Sequence, residues 1–300
     1  MKQTSMPGIA AMLLAGTLSA QASLAREDDD ADEDERETEN ISWRQQDRGP
    51  GVATSMFGTY VPEGEWLLYT NAKYGRDDDF EYDPAEFGFA NAAGEFFGQL
   101  RSREAAVVVA YGLDDDMVLE LEAAAQRATL QKGPGDPSTM PAEIRESGLG
   151  DVHARLNWRA LDEGDRRPEV FTYVDVTIPH DSSKVLIGTA DWVANIGAGA
   201  IRGFNWGTMT VRAGALFELS SASVGDWGEV AVEYYKRLSP QFALYTGLIM
   251  AEGDEGSAIA ELQWHVTPHL VLKINSGFAL TSHAVDWAPQ IGVQYSFAPK

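Results

Sequence analysis

The sequence predicts an all-β fold, an antiparallel up-and-down transmembrane β-barrel of about 12 strands. Three observations lead there. Segments of about ten residues alternate apolar with polar or small side chains, every second connection between them is tight, and tryptophans gather at the segment ends. The alternation is plainest over residues 229–297. Side chains two apart in a strand share a face, so Ala258, Ala260, Leu262, Trp264 and Val266 lie on one side and Ile259, Glu261, Gln263 and His265 on the other. In the next segment Leu270, Leu272, Ile274, Phe278 and Leu280 oppose Lys273, Asn275 and Gly277. A soluble sandwich strand alternates in the same way, so address, strand number and parity decide between the two.

The address comes from the amino end. Lys2, an apolar stretch over 8–18 and small residues at Ala20, Ala22 and Ala25 read as a secretory signal peptide over residues 1–25. No other stretch approaches the ~20 apolar residues of a membrane helix, so membrane passage here requires strands closed on themselves. Cysteine is absent, which excludes disulfides and thiol chemistry. Residues 26–60 read as an acidic disordered tail and lead-in. Residues 26–39 carry ten carboxylates against Arg26 and Arg36, a block that repels itself. Residues 61–297 form the expected outer-membrane β-barrel. The net charge of −23 argues against nucleic acid, whose phosphates it repels. The expected setting is the bacterial outer membrane. Its lipid and lipopolysaccharide, the outer-membrane assembly machinery and a small-molecule solute are the expected partners of a monomer without cofactor or metal.

Twelve strands are expected near 64–74, 103–113, 116–127, 150–160, 169–178, 191–202, 207–219, 228–238, 241–251, 257–266, 269–280 and 287–297. At ~3.3 Å per residue and a tilt near 45°, each crosses about 25 Å, the height of an outer-membrane apolar band. Long connections at 75–102 and 128–149 alternate with tight ones such as Ser239-Pro240 and Thr267-Pro268, so loops fall on one rim and turns on the other. Both chain ends lie on the turn side. Trp66, Trp158, Trp206 and Trp264 map to the turn rim, and Trp192, Trp227 and Trp287 to the loop rim, where indoles favour the lipid–water boundary.

With the oily face outward, the enclosed face is charged. Asp151, His153, Arg155, Asn157 and Arg159 share one face of a strand, joined by Asp175, Arg212, Glu218, Glu229, Glu233, Arg237, Glu261 and Lys273. Glu120, Glu122, Gln126, Tyr235 and His265 belong to the same set. A dry interior does not hold so many unpaired charges, so the lumen is either wet or heavily ion-paired, a solute path or a filled barrel. Phe80, Phe87, Phe89, Phe96 and Phe97 either fold into that lumen or cap its rim. Catalysis has weak support. His180 lies near Ser182 and Ser183, and His283 near Ser282 and Asp286, but no Gly-x-Ser-x-Gly elbow, His-Glu-x-x-His or phosphate loop is present, and no enzyme is expected.

Residues Glu146-Ser147-Gly148-Leu149-Gly150-Asp151-Val152-His153-Ala154-Arg155-Leu156-Asn157-Trp158-Arg159 resemble the glycine-aspartate strand of the MetA-type outer-membrane family linked to phenol-degradation pathways. Ala110-Tyr111-Gly112-Leu113-Asp114-Asp115, Pro62-Glu63-Gly64-Glu65-Trp66 and Val176-Thr177-Ile178-Pro179 resemble further segments of it. The chain departs from that pattern after Pro179, where His180-Asp181-Ser182 follows, and at its end, which runs past Phe297 through Ala298-Pro299-Lys300. The resemblance implies a channel or transporter for small, aromatic or other hydrophobic molecules and supplies no catalytic residues.

Overall fold

The computed structural model describes residues 42–54, 56–85, 87–89, 94–219, 226–251 and 255–298; the expected leader and the whole acidic run over 26–39 lie outside them. Fourteen strands follow in order, β1(Val52–Ala53), β2(Tyr60–Val61), β3(Trp66–Tyr82), β4(Phe96–Asp114), β5(Met117–Gln131), β6(Glu143–Leu161), β7(Glu169–Ile178), β8(Val193–Phe204), β9(Gly207–Glu218), β10(Asp226–Arg237), β11(Phe242–Ala251), β12(Glu255–His265), β13(Leu270–Ala279) and β14(Trp287–Phe297). β3 to β14 pair antiparallel with their neighbours and close into one barrel, while β1 and β2 form a separate hairpin. The expected twelve-strand barrel is therefore the fold.

The closing seam joins β14 to β3, with Phe297 opposite Trp66 and Gln290 opposite Lys73. Its ladder skips Ala288 and Pro289, and proline has no N–H to contribute. The outer face is oily. Ile274, Ile291, Leu262, Leu248, Val211 and Ile196 are among many exposed apolar side chains, an arrangement stable only against lipid. All seven girdle tryptophans are exposed on that face, and Trp206 stacks between Phe204 and Tyr234 at ring distances of 4.7 and 5.8 Å.

Strand lengths depart from the sequence reading on one side. β3, β4, β5 and β6 run 17, 19, 15 and 19 residues, well above the expected eleven or so. Above the apolar band the outward residues become charged, as at Arg101, Arg103 and Arg127, so the lipid-derived alternation stops while the hydrogen-bonded ladder continues. The barrel wall is thus taller over β3–β6. Against the inner side of this extension Phe80, Tyr82, Phe87, Leu100, Leu130, Met140, Leu186 and Ile187 form an apolar cluster, with Phe89 and Phe96 packed on it. Four of the five loop phenylalanines thereby cap the mouth, and Phe97 points outward. In the loop beneath Tyr82, burial pushes the Asp136 carboxyl up, but hydrogen bonds from Ser138 and Tyr82 and the nearby Lys132 outweigh it and hold the group below the usual carboxylate range.

Candidate functional site

Residues 42–61, which the sequence reading left as lead-in, enter the barrel from the turn rim and fold back inside it. Asp47 accepts hydrogen bonds from the Arg237 amide and the Lys236 ammonium, at 3.0 and 3.1 Å. Arg48 is buried with its guanidinium 2.9 Å from Glu163 and 3.0 Å from Glu169. The chain passes so close to the wall that a Cβ on Gly203 would stand 1.9 Å from the Arg44 carbonyl oxygen, which only glycine avoids. The hairpin tip turns at Phe57 and Gly58, with φ of 42° and 67°. Its apolar side chains face three lumenal clusters. Val52, Met56 and Val61 meet Leu67, Tyr69, Val108 and Val118; Ala53 and Tyr60 meet Phe171 and Tyr173; Phe57 meets Tyr235, Tyr245 and Ile259.

Beside this hairpin the charged wall is paired. Asp175 binds Arg155 and lies 3.8 Å from His153, whose Nδ1 is 3.2 Å from the Thr177 hydroxyl. Arg212 stands 3.5 Å from Glu229 and 3.2 Å from Glu233, and Tyr245 donates to Glu233 at 2.9 Å. The Asn157 amide donates to Glu120. Under the hairpin tip, Lys273 and Glu261 are each 1% exposed and 3.9 Å apart. Lys273 donates to the Thr59 hydroxyl at 2.9 Å, and Glu261 accepts from Gln263 and Asn275 at 2.7 and 2.9 Å.

The sequence-derived residues therefore divide into groups. Arg155, Asn157, Asp175, Arg212, Glu229 and Glu233 share one stretch of wall, and Lys273 and Glu261 form a second, smaller cluster. Arg159 lies at the neck, with its guanidinium on Asp116 and the Gly51 carbonyl at 2.9 and 2.8 Å, and Arg237 is exposed beside Asp47. Glu218 ends β9 at the loop rim. Asp151 has a structural task, since its carboxylate accepts from the His180 and Thr189 amides at 3.0 and 2.7 Å and ties the 179–192 loop to β6.

The open space lies higher than most of these residues. A cavity of about 400 Å³ sits above the hairpin, floored by Phe57 and roofed by Phe80, His283, Ala284 and Val285. Lys73, Glu104, Glu122 and His153 line one side, Ile249, Ala251 and Ile259 the other. The roof is held down because the Asp286 carboxylate accepts from the Asp78 amide at 3.0 Å and His283 approaches Glu81 to 3.5 Å. Of the charged lumen residues proposed from the sequence, His153 and Glu122 reach this cavity; Lys73, Glu104 and Phe57 were missed. Their signal was weak, because the inward residues around Lys73 and Glu104 are mostly small or apolar and Phe57 belongs to a segment without period.

Arg48 gives a direct test of the neck. Arg48→Ala leaves Glu169 buried without its ion-pair partner and Glu163 with Arg202 alone, a loss of about 3–5 kcal/mol. The expected result is earlier thermal conversion from the compact to the unfolded band on a detergent gel, with unstable, larger current steps in a planar bilayer. Unchanged melting and currents would mean that the neck carries no strain from that pair.

No family model matches the chain, and no curated protein matches it in sequence. Solved structures do. An outer membrane channel from Pseudomonas putida aligns with a TM-score of 0.58 at 14% identity, over 82% of this chain and 100% of that one. The translocator domain of the autotransporter NalP from Neisseria meningitidis gives 0.48 at 14% identity over 78% and 88%. The toluene transporter TbuX from Ralstonia pickettii gives 0.40 at 11% identity over 83% and 97%. The first of these likenesses carries one conclusion, that the chain has the fold of a bacterial outer-membrane β-barrel.

Proposed function

We propose that the protein is a passive channel of the bacterial outer membrane for small, aromatic or other hydrophobic molecules, and that it is not an enzyme. The carrying observation is the cavity between the inserted hairpin and the roof, enclosed by a barrel whose exterior suits lipid and half of whose lining is apolar. A pocket of this size and character suits an organic solute better than an ion. The similarity of the first structural neighbour, itself a channel, supports the reading, as does the resemblance of the 146–159 strand to the MetA-type family. Export through the 1–25 leader, insertion by the outer-membrane assembly machinery, contact with lipid and lipopolysaccharide, and action as a monomer complete the proposal.

The histidines favour transport over catalysis. Among the described residues no serine hydroxyl is hydrogen-bonded to a histidine: Ser183 donates to Asp181, His153 meets Thr177, and His283 faces Glu81. Two measurements test the proposal. Purified protein in planar bilayers should give small discrete current steps that 1-naphthol in the bath reduces, and bilayers silent under all voltages would refute a channel. Lipase and deacylase assays should stay at background with wild type, His180→Ala and His283→Ala alike; turnover lost in either variant would establish the enzyme instead.

A further inference from the structure

The upper cavity has two unlike walls, and the barrel's geometry sets them face to face. In a ring of twelve strands the sixth neighbour lies diametrically opposite, so β5 faces β11 across the lumen. Glu122 projects from β5, with His153 its direct cross-strand partner on β6. Ile249 projects from β11 opposite it, beside Ile259 of β12, and Phe57 and Val285 close the apolar side from below and above. A molecule spanning this space touches mainly hydrocarbon at one end, where Glu255 at the start of β12 also borders the cavity, and ionised groups at the other.

The charged end is not balanced. Lys73 stands 3.8 Å from Glu104, so its charge is engaged by that carboxylate. Glu122 makes no hydrogen bond or ion pair among the described residues, though it lies in the electrostatic field of His153 and Glu104, and it borders both this cavity and the adjoining one of about 240 Å³. Every other carboxylate of the nearby wall has a partner: Asp175 has Arg155, Glu120 has Asn157, and Glu229 and Glu233 share Arg212. A lone carboxylate facing a cavity inside low-dielectric walls favours a cation there, and hydrogen bonds from an ammonium suit its two oxygens.

We infer that the upper cavity is a binding site for amphiphiles bearing a protonated amine, with the ammonium at Glu122 and the aromatic or aliphatic body against Phe57, Ile249, Ile259 and Val285. This rests on the channel reading for its biological use and narrows the solute class. Neutral hydrophobic molecules fill the same apolar wall but leave Glu122 without a counter-ion. Carboxylate-bearing analogues are repelled by Glu122.

Three probes of one shape decide the matter: 4-phenylbutylamine, 4-phenylbutanol and 4-phenylbutyrate, titrated calorimetrically into the full mature protein in a neutral detergent. A charge-assisted hydrogen bond is worth enough to favour the amine over the alcohol by about tenfold, and the carboxylate should bind least. Glu122→Gln, nearly isosteric, should lower amine affinity to that of the alcohol and leave the alcohol unchanged. Glu122→Lys should move the preference to the carboxylate. Each variant is first checked for the compact, heat-modifiable band, and Glu104→Gln, which frees Lys73 to repel the amine, serves if Glu122→Gln does not fold. Equal binding of amine and alcohol, or an amine preference that survives Glu122→Gln, overturns the inference. Current steps in bilayers separate the two readings: a wild type that binds amine but never conducts refutes the channel, and one that conducts without preferring amine refutes this site alone.

Discussion

Removing residues 42–61 should raise the single-channel conductance by about an order of magnitude, because that segment fills the lower part of the lumen. The hairpin fills the lower half through three apolar clusters and is pinned at its neck by Asp47 and Arg48. The deletion should also make cells that express it sensitive to bulky antibiotics that the outer membrane otherwise excludes. The barrel itself should survive, since β3 to β14 close without β1 and β2. Bilayer recordings of the deletion beside wild type give the answer. Equal conductance in the two would show that the permeation route does not pass the hairpin.

The second large effect is expected at Lys273. Replacing it with methionine leaves the Glu261 carboxylate, 1% exposed, without a counter-charge and takes a donor from Thr59. Breaking one partner of a buried pair costs about 3–5 kcal/mol, whereas replacing both with apolar residues of like volume is often neutral. Lys273→Met should therefore melt well before wild type, and Lys273→Met with Glu261→Leu should recover much of the loss. Thr59 also accepts the tether that holds the hairpin tip, so the single variant should flicker between conductance levels as well. A double variant as unstable as the single one would place the cost elsewhere, in the polar neighbours Gln263 and Asn275.

The barrel was legible because lipid enforces a period of two on every strand. β7 and β14 coincide with their expected spans, 169–178 and 287–297, and both combine strict alternation with turn residues at their ends. Inward charge was legible by the same parity: Arg155, Asp175, Arg212, Glu261 and Lys273 all face the lumen. The hairpin was not. Residues 49–64 hold four glycines and two prolines and show no period, and their order comes from partners far along the chain, Thr59 meeting Lys273 and Gln294 and Asp47 meeting Lys236. The cavity was hidden for a related reason. Which charges remain without an ion pair depends on distances across the barrel, and neither the pairing of Lys73 with Glu104 nor the lack of an ion pair at Glu122 can be read from spacing along one strand.

The gap at Ala288 and Pro289 bears on how such a cylinder is born and how it fails. Joining β14 to β3 links stretches more than two hundred positions apart, the costliest loop in the barrel to close. A join short of donors is also where the circle parts most easily. Amide hydrogens of Lys73 and Gln290 should exchange sooner than those at the centre of β11 and β12, where the ladder is unbroken from Phe242 to Ala251.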